Sequence, residues 1–391
     1  MNAGGVFFLG LRYLARHRVK TILLVSAFVL AMGLPVSISR VVGHVEAQLR
    51  SRAEQTGLVL GAAGSALELT FNALYFTKPG IASLPYSEVE EIHDTGLGQA
   101  IPLYVRYAAG DYRIVGTNLD YLDFRKFQFA EGRSLLRLGE CVIGARVARE
   151  NGIQIGDSVI SSPESLFDLA GVYPLKMKVV GILESTGTPD DRGIFVDLRT
   201  AWIIEGLGHG HEEASELSDD QILERKGDTV RLNASIVEYN EITEENLNSF
   251  HFHEEEGKLP LTAILVLPYD EKSQAIFKGR YANKDTRILV TPADEMEELF
   301  DTVFRVQRVV LSLLIAVGVA AAALGLIVFL LSNRLRAAEF RHLKNLGASP
   351  ATMKALIGFE AGFVLLCSGL LTIAVLVLVD WIVPIVLIRL I

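Results

Sequence analysis

The sequence predicts a membrane protein with three transmembrane α-helices and a large α+β extracytoplasmic domain inserted between the first and the second. Half of the 391 residues are hydrophobic, and the mean hydropathy is +0.34. Such a chain is too apolar for a soluble protein of this length. Charged residues nevertheless make up 21% of it, so apolar and charged residues must be segregated along the chain.

The apolar residues are concentrated in three blocks. The first, residues 21–39, has no charge over 19 residues, and at 1.5 Å per residue it just crosses a hydrocarbon core of about 30 Å. The second block, 309–331, is also uncharged, and the third, 355–379, is interrupted only by Glu360. A cleaved signal peptide is the alternative for the first block. Its long basic lead and the lack of a small-residue cleavage site favour a retained helix.

Basic residues at the ends of these blocks set the predicted orientation. The short segments before the first block and between the second and third are basic, so both should be cytoplasmic. Residues 42–305 then lie outside the cytoplasm and hold 43 of the 46 acidic and 25 of the 37 basic residues, a net charge of −18, while the rest of the chain carries +9. The basic residues in question are Arg12, Arg16, Arg18, Lys20, Arg334, Arg336, Arg341, Lys344 and Lys354.

These patterns divide the chain into seven segments. Because a crossing needs about 20 residues, the last stretch is too short for a fourth span, and we expect it outside the cytoplasm with Trp381 at the headgroups. The segments are a cytoplasmic N-terminal segment (1–20), a transmembrane helix (21–41), the outer domain (42–305), a second transmembrane helix (306–332), a cytoplasmic turn (333–354), a third transmembrane helix (355–380) and a C-terminal tail (381–391).

The outer domain has helical flanks and a strand-rich middle. Residues 45–55 prolong the first span, and residues 293–308 lead into the second with a helical apolar stripe. The two stretches form either a paired stalk or surface helices packed on the domain. Between them, short runs with glycine and proline punctuation predict strands. The predicted strands are 104–110, 112–117, 141–148, 157–162, 175–183, 192–198 and 262–268, with helical pieces at 86–93 and 145–151.

The chain lacks the motifs of several enzyme classes. It has no G-x-x-x-x-G-K-[ST], so it has no phosphate-binding loop of its own, and no H-E-x-x-H, G-x-S-x-G or C-x-x-C. The sequence therefore predicts no enzyme, no catalytic residue and no resident cofactor. The net charge of −9 argues against nucleic acid as a partner. Cys141 and Cys367 lie in different predicted segments and cannot pair.

The cytoplasmic turn carries a recognisable motif. Residues 338–349 read AEFRHLKNLGAS and residues 359–361 read FEA. This pattern resembles the signature of the FtsX/MacB-like permeases of ABC transporters. In the outer domain, GECVIG at 139–144, VVGIL at 179–183 and DDRGIFVDL at 190–198 resemble the MacB-like periplasmic core domain.

The resemblance implies a permease subunit in the bacterial inner membrane, usually a homodimer, whose separate cytoplasmic ATPase binds and hydrolyses ATP. Its conformational change is transmitted to the periplasmic domain, for export or as mechanotransmission, and a periplasmic protein can be a further partner. Two alternatives stay open. One is an FtsX-like regulator that activates a periplasmic cell-wall hydrolase without transporting cargo, and the other is a membrane-anchored enzyme. The family usually has four spans, whereas this sequence contains three apolar blocks.

The turn has the properties of an element that docks into a partner. Leu335, Phe340, Leu343 and Leu346 form an amphipathic face, Gly347 is suited to a left-handed C-cap, and Ser349-Pro350 to the start of the next helix. We expect ATPase contact through Glu339, Arg341, Leu343, Lys344, Leu346 and Gly347. The alternative is a surface helix whose basic residues meet anionic membrane lipid.

Glu360 falls about one turn into the third block, where an ionisable residue is a functional candidate. Alternatively, its carboxylate reaches the membrane surface or binds a neighbouring helix end.

Two histidine–acid clusters in the outer domain share the pattern H-x-H-E-E. In an extended segment, residues i and i+2 point the same way, so each cluster can present two imidazoles to one ion, and imidazole with carboxylate suits Zn²⁺. The alternatives are solvated polar loops and a pH-sensing role. The candidate ligands are His209, His211, Glu212, His251, His253 and Glu254.

Overall fold

The structure is a computed structural model and describes residues 3–162, 174–210, 222–226, 229–232 and 240–390. The chain forms two compact units. One, which we call the helical unit, comprises the residues up to Leu49 together with Glu298–Leu390. The other, which we call the α+β unit, comprises Arg50–Glu297.

The described residues form eleven α-helices. They are α1 (Ala3–Arg16), α2 (Arg18–Glu54), α3 (Ala66–Tyr75), α4 (Ser87–Asp94), α5 (Leu119–Phe124), α6 (Ala145–Asn151), α7 (Leu198–Glu205), α8 (Glu271–Tyr281), α9 (Pro292–Leu335), α10 (Ala337–Asn345) and α11 (Pro350–Leu390).

The strands of the described residues all lie in the α+β unit. They are β1 (Leu58–Ala62), β2 (Leu84–Pro85), β3 (Gly98–Leu103), β4 (Ala108–Ala109), β5 (Tyr112–Thr117), β6 (Phe129–Gly132), β7 (Glu140–Ile143), β8 (Ser158–Ile160), β9 (Leu175–Leu183), β10 (Gly193–Asp197), β11 (Gly208–Gly210), β12 (Ile222–Lys226), β13 (Thr229–Leu232), β14 (Asn240–Glu241), β15 (Phe250–Phe252), β16 (Pro260–Leu261), β17 (Ala263–Pro268) and β18 (Arg287–Val290).

Three helices contain the apolar blocks and are long enough to cross a membrane. Within α2, α9 and α11, the mean hydropathy of the spanning windows is 2.3, 2.9 and 2.7. Helix α2 continues through residues 45–54 and α9 begins at Pro292, which confirms the two predicted helical extensions. Helix α11 continues to Leu390 because the apolar sequence does not stop at Asp380.

Residues 3–16, expected only as a cytoplasmic segment, form the amphipathic helix α1. Its apolar positions Phe7, Gly10 and Leu14 recur at helical spacing. The ring of Phe7 meets Phe359 of α11 at a centroid distance of 5.3 Å. A Cβ atom at Gly10 would lie 2.3 Å from a ring carbon of Phe359, so glycine permits this close approach of α1 to α11.

The α+β unit contains two larger sheets. The first is antiparallel, with the strand order β18-β1-β17-β3. The second is mixed: β10 pairs parallel with β5 and antiparallel with β7, and β7 pairs parallel with β9. Strands β7 and β10 at its centre are almost entirely buried, as expected for strands covered on both faces. Trp202 of α7 and Phe195 of β10 are fully buried in this unit.

Most of the predicted elements are present, and two predicted strands form only in part. Strands β5, β8, β9, β10 and β17 and helices α4 and α6 lie where the pattern places them. The strand expected at 104–110 forms in part: Tyr104 pairs with Gly116 of β5 in an isolated antiparallel bridge, and β4 pairs with the start of β5, with an irregular stretch between them. The strand expected at 141–148 ends at Ile143, where Gly144 becomes the N-cap residue of α6.

Candidate functional site

The predicted coupling turn is a short helix with a defined stop. Helix α10 ends in a Schellman motif, in which the Gly347 N–H donates to the Lys344 carbonyl and the Ala348 N–H to the Leu343 carbonyl, both at 3.0 Å. Gly347 takes a φ of 91°, which a residue with a side chain rarely adopts. The predicted C-cap is therefore confirmed.

The next helix starts as its sequence predicts. The Ser349 hydroxyl accepts the backbone N–H of Thr352 at 3.2 Å, and Pro350 is the first residue of α11. Only a few residues separate α10 from α11, and hydrogen bonds fix both helix ends. The turn is consequently rigid.

The candidate contact residues lie on the surface of this turn. Leu346 is 85% exposed, Leu343 is half-buried, and Arg341, Lys344 and Gly347 are exposed. A leucine this exposed, beside two cations and on a rigid turn, is suited to a partner's groove.

Glu360 is fully buried at 0% exposure and paired with Arg336, the N-cap residue of α10. One guanidinium nitrogen donates to both carboxylate oxygens, at 2.7 and 2.9 Å. Arg336 is itself 7% exposed. The structure shows Glu360 bound to a neighbouring helix end, and a functional role for this carboxylate stays a prediction.

Arg336 makes further contacts that the sequence did not reveal. Its Nε donates to Glu339 of α10 at 3.0 Å, and its guanidinium lies 3.4 Å from the ring centroid of Tyr13 in α1. One side chain therefore contacts helix α10, the apolar helix α11 and the N-terminal helix α1. In the sequence, Arg336 is distinguished only as one of several basic residues of the predicted cytoplasmic turn.

A second buried ion pair, also missed in the sequence, lies in the α+β unit. Arg52, in the last turn of α2, is 6% exposed, and Asp190 is 2% exposed. Two guanidinium nitrogens donate to the two carboxylate oxygens of Asp190, at 2.6 and 3.0 Å. The Tyr121 hydroxyl donates to the same carboxylate at 2.9 Å, and Arg52 Nε donates to the Leu74 carbonyl.

The contacts of the core-domain motifs give them physical explanations. In DDRGIFVDL, Asp190 holds Arg52, while Asp191 accepts the backbone N–H groups of Thr186 and Gly187 and so closes the preceding loop. In GECVIG, a Cβ atom at Gly144 would lie 2.3 Å from the Asp190 carbonyl oxygen, so only glycine fits against this loop.

Glu140, the acid of GECVIG, forms a two-pronged ion pair with Arg133 at 2.6 and 2.8 Å. It also accepts the backbone N–H groups of Leu136 and Arg137. Burial alone would raise the pKa of Glu140, but these bonds outweigh it and hold the pKa below its ordinary value. The same balance holds at Asp190. Burial alone would raise the pKa of its carboxyl, but the neighbouring charge of Arg52 outweighs this effect and lowers the pKa.

We expect the α+β unit to lose stability in acid. A carboxyl whose pKa is lower in the folded state stabilises the fold fully above its unfolded pKa of about 4, and this contribution is lost as the pH falls through the folded pKa. The measurement is the protection of the backbone amides of β7 and residues 189–192 against hydrogen exchange at pH 6 and at pH 3. Glu140→Gln should reduce the loss of protection between pH 6 and pH 3, and an unchanged loss would contradict the assignment.

The histidine clusters are only partly described. His211 and Glu212 lie outside the described residues. Strands β11 and β15 pair antiparallel with His209 and His251 as Cα partners, and the rings of His251 and His253 lie 4.9 Å apart. Within the described residues, no group of three or more His, Cys, Asp or Glu side chains is placed to hold a metal ion. Zinc binding stays a prediction. Calorimetric titration of the full chain with Zn²⁺ would test it.

Comparison with known proteins places the chain in a family. No curated protein matches it. The periplasmic region of MacB from Actinobacillus actinomycetemcomitans is similar at 11% identity, covering 63% of this chain and 95% of that one, with a TM-score of 0.35. The extracellular domain of the noncanonic ABC-type transporter YknZ from Gram-positive bacteria is similar at 11% identity, covering 60% and 98%, with a TM-score of 0.33.

The family assignment itself rests on the sequence. The family model of the MacB-like periplasmic core domain matches residues 21–236, more than half of the chain. This range contains all three core-domain motifs, at 139–144, 179–183 and 190–198. The chain therefore belongs to the FtsX/MacB-like permease family, whose members carry a MacB-like periplasmic core domain.

Proposed function

We propose that this chain is the permease subunit of an ABC transporter and couples ATP hydrolysis by a separate cytoplasmic ATPase to a conformational change of its periplasmic domain. The observation that carries the proposal is the capped helix α10, which presents Leu346 to solvent while its N-cap residue Arg336 is bound to Glu360 of α11. Family membership supports the assignment, because the family is a permease component of such transporters.

The proposed topology follows the charges. The N-terminus and α10 face the cytoplasm, α2, α9 and α11 cross the inner membrane, and the α+β unit is a periplasmic domain inserted between the first and second spans. The basic residues around α1 and α10 and the acidic character of residues 42–305 support this orientation. A homodimer is the proposed assembly.

At the cytoplasmic face, α10 docks into a groove of the ATPase. Leu343 and Leu346 supply apolar contacts, and Arg341 and Lys344 supply positive charge beside them. Because both ends of the turn are held by hydrogen bonds, a displacement of α10 is not absorbed by the turn. Arg336 passes it to α11 through Glu360 and to α1 through Tyr13.

In the α+β unit, the last turn of α2 is held in the same manner. Asp190 sits in the 3₁₀ turn Pro189–Arg192 directly before β10, so the Arg52–Asp190 pair joins the end of α2 to a central strand of the mixed sheet. A movement of α2 therefore reaches a rigid part of this unit rather than a loop.

Replacing Leu346 with aspartate should abolish the stimulation of the partner ATPase by the permease. The substitution removes an apolar side chain that is 85% exposed and places a charge where the proposed groove is apolar. Loss of a central interface anchor costs about 2–4 kcal/mol, a factor of about 30 or more in affinity. The measurement is ATP hydrolysis by the co-expressed complex in lipid nanodiscs, with co-purification as a second readout.

Asn345→Asp is the matched control. It adds the same charge one residue earlier on an exposed position of the same helix and removes no apolar contact, so stimulation should be largely retained. Full stimulation by the Leu346→Asp complex would show that α10 is not the ATPase contact.

A further inference from the structure

We propose that the helical unit binds an anionic phospholipid in a groove between α2 and α9, next to the basic start of α2. The inference rests on the proposed orientation of the helices in the membrane and is independent of the ATPase partner. The structure shows a groove of about 710 Å³ here, within the range of about 300–1,000 Å³ typical of ligand sites.

The groove has two chemically different halves. One end is lined by Arg16, Arg18 and Lys20, and the rest by apolar side chains of both helices, among them Leu23 and Leu324. Those two leucines are more than 60% exposed. A cationic end joined to an apolar trough matches a headgroup phosphate with an acyl chain attached.

The shape of the groove comes from the packing of small residues. Farther along the helices, a Cβ atom at Gly318 of α9 would lie 3.0 Å from the Ala31 carbonyl oxygen of α2, so the two backbones approach closely there. Toward the basic end, a Cβ atom at Gly325 of α9 would have the side chain of Leu24 as its nearest neighbour, at 3.6 Å. The backbones of α2 and α9 therefore meet at the Gly318 end of the groove, whereas the nearest atoms at Gly325 belong to side chains.

The charges favour an anion. Among the described residues, Arg16 and Arg18 form no ion pair, and no acidic side chain lines the groove. Lys20 donates to Ser332 of α9 at 2.6 Å, which joins the two helices beside the groove without neutralising the lysine. Basic pockets between transmembrane helices on the cytoplasmic side bind anionic headgroups. The apolar half selects a lipid over a free phosphate ester.

The test uses the full chain, purified in a mild detergent, and native mass spectrometry with added dioleoyl phosphatidylglycerol or dioleoyl phosphatidylcholine. We expect the anionic lipid to bind at least about tenfold more tightly. Arg16→Ala with Arg18→Ala should weaken its binding about tenfold or more, since each cation near the headgroup contributes about as much as a severalfold change in affinity. Leu324→Trp, which fills the apolar half without changing charge, should weaken it comparably.

Arg12→Ala with Arg334→Ala is the matched control. It removes the same charge from the same side of the membrane, from exposed residues outside the groove, and should change the affinity less than threefold. The proposal is overturned by equal binding of the two lipids, by equal losses in control and groove variants, or by displacement of the lipid by glycerol 3-phosphate. It is also overturned if Leu324→Trp, shown by circular dichroism to be folded, binds the anionic lipid normally.

Discussion

Replacing Asp190 with alanine is expected to lower the free energy of unfolding of the α+β unit by about 3–5 kcal/mol, the cost of breaking a buried ion pair. The guanidinium of Arg52 would remain 6% exposed with no carboxylate to accept its two hydrogen bonds. The hydroxyl groups of Tyr121 and Thr188 would lose an acceptor as well.

The two tryptophans of the chain make this measurement selective. Trp202 is fully buried in the α+β unit, whereas Trp381 is exposed in α11. In a Trp381→Phe background, the emission of Trp202 reports the unfolding of the α+β unit alone. Its urea midpoint should fall strongly in the Asp190→Ala variant.

Two further variants make the result specific. Glu91→Gln breaks the more exposed ion pair with Lys284, whose atoms are 3.0 Å apart, and should change the stability by less than about 1 kcal/mol. Arg52→Met with Asp190→Leu replaces both charges by apolar groups and should recover much of the loss. An Asp190→Ala midpoint equal to that of Glu91→Gln would show that the pair does not hold α2 to this unit.

Replacing Glu360 with leucine should loosen the coupling turn and uncouple the ATPase. Arg336, only 7% exposed, would lose the carboxylate that accepts two of its hydrogen bonds and keep the exposed Glu339 as its carboxylate partner. Backbone amides of α10 and the first turns of α11 should exchange at least about tenfold faster, equivalent to about 1.4 kcal/mol of local stability. ATP hydrolysis by the complex should lose its dependence on the permease.

Glu339→Gln serves as the control, because Glu339 is exposed and contacts the same arginine. It should leave exchange within about threefold of the wild type, in keeping with the small contribution of exposed pairs. Arg336→Leu with Glu360→Leu should restore slow exchange but not ATPase coupling, since the link from α10 to α11 is absent. Normal exchange and normal coupling in Glu360→Leu would remove Arg336 from the proposed transmission route.

The core-domain motifs and the buried charges differ in how far the sequence explains them. The motif DDRGIFVDL indicates the core domain by resemblance, but only the tertiary structure shows that Asp190 holds Arg52 and that Asp191 closes a loop. Glu360 stands out in the sequence because an acid in an apolar block needs a partner. Which of the nearby cations serves it depends on how the turn folds back.

The predicted strand at 104–110 forms only in part. Tyr104 and Tyr107 are buried in the core and hydrogen-bonded to Gly116 and Ile114 of β5, but the ladder is irregular between them. Periodicity records burial, and burial alone does not fix where the pairing of two strands is regular.

The sequence alone determined the features that depend on neighbouring residues: three apolar helices, the capped turn at Gly347 and Ser349, and some of the strands of the α+β unit. These follow from hydrophobicity, backbone freedom and side-chain periodicity over windows of about 20 residues or fewer. The tertiary structure alone decided the pairing of Arg52 with Asp190, 138 residues apart, of Arg336 with Glu360, and of α1 with α11. Such contacts form because packing brings distant segments together and burial then requires each charge to find a partner.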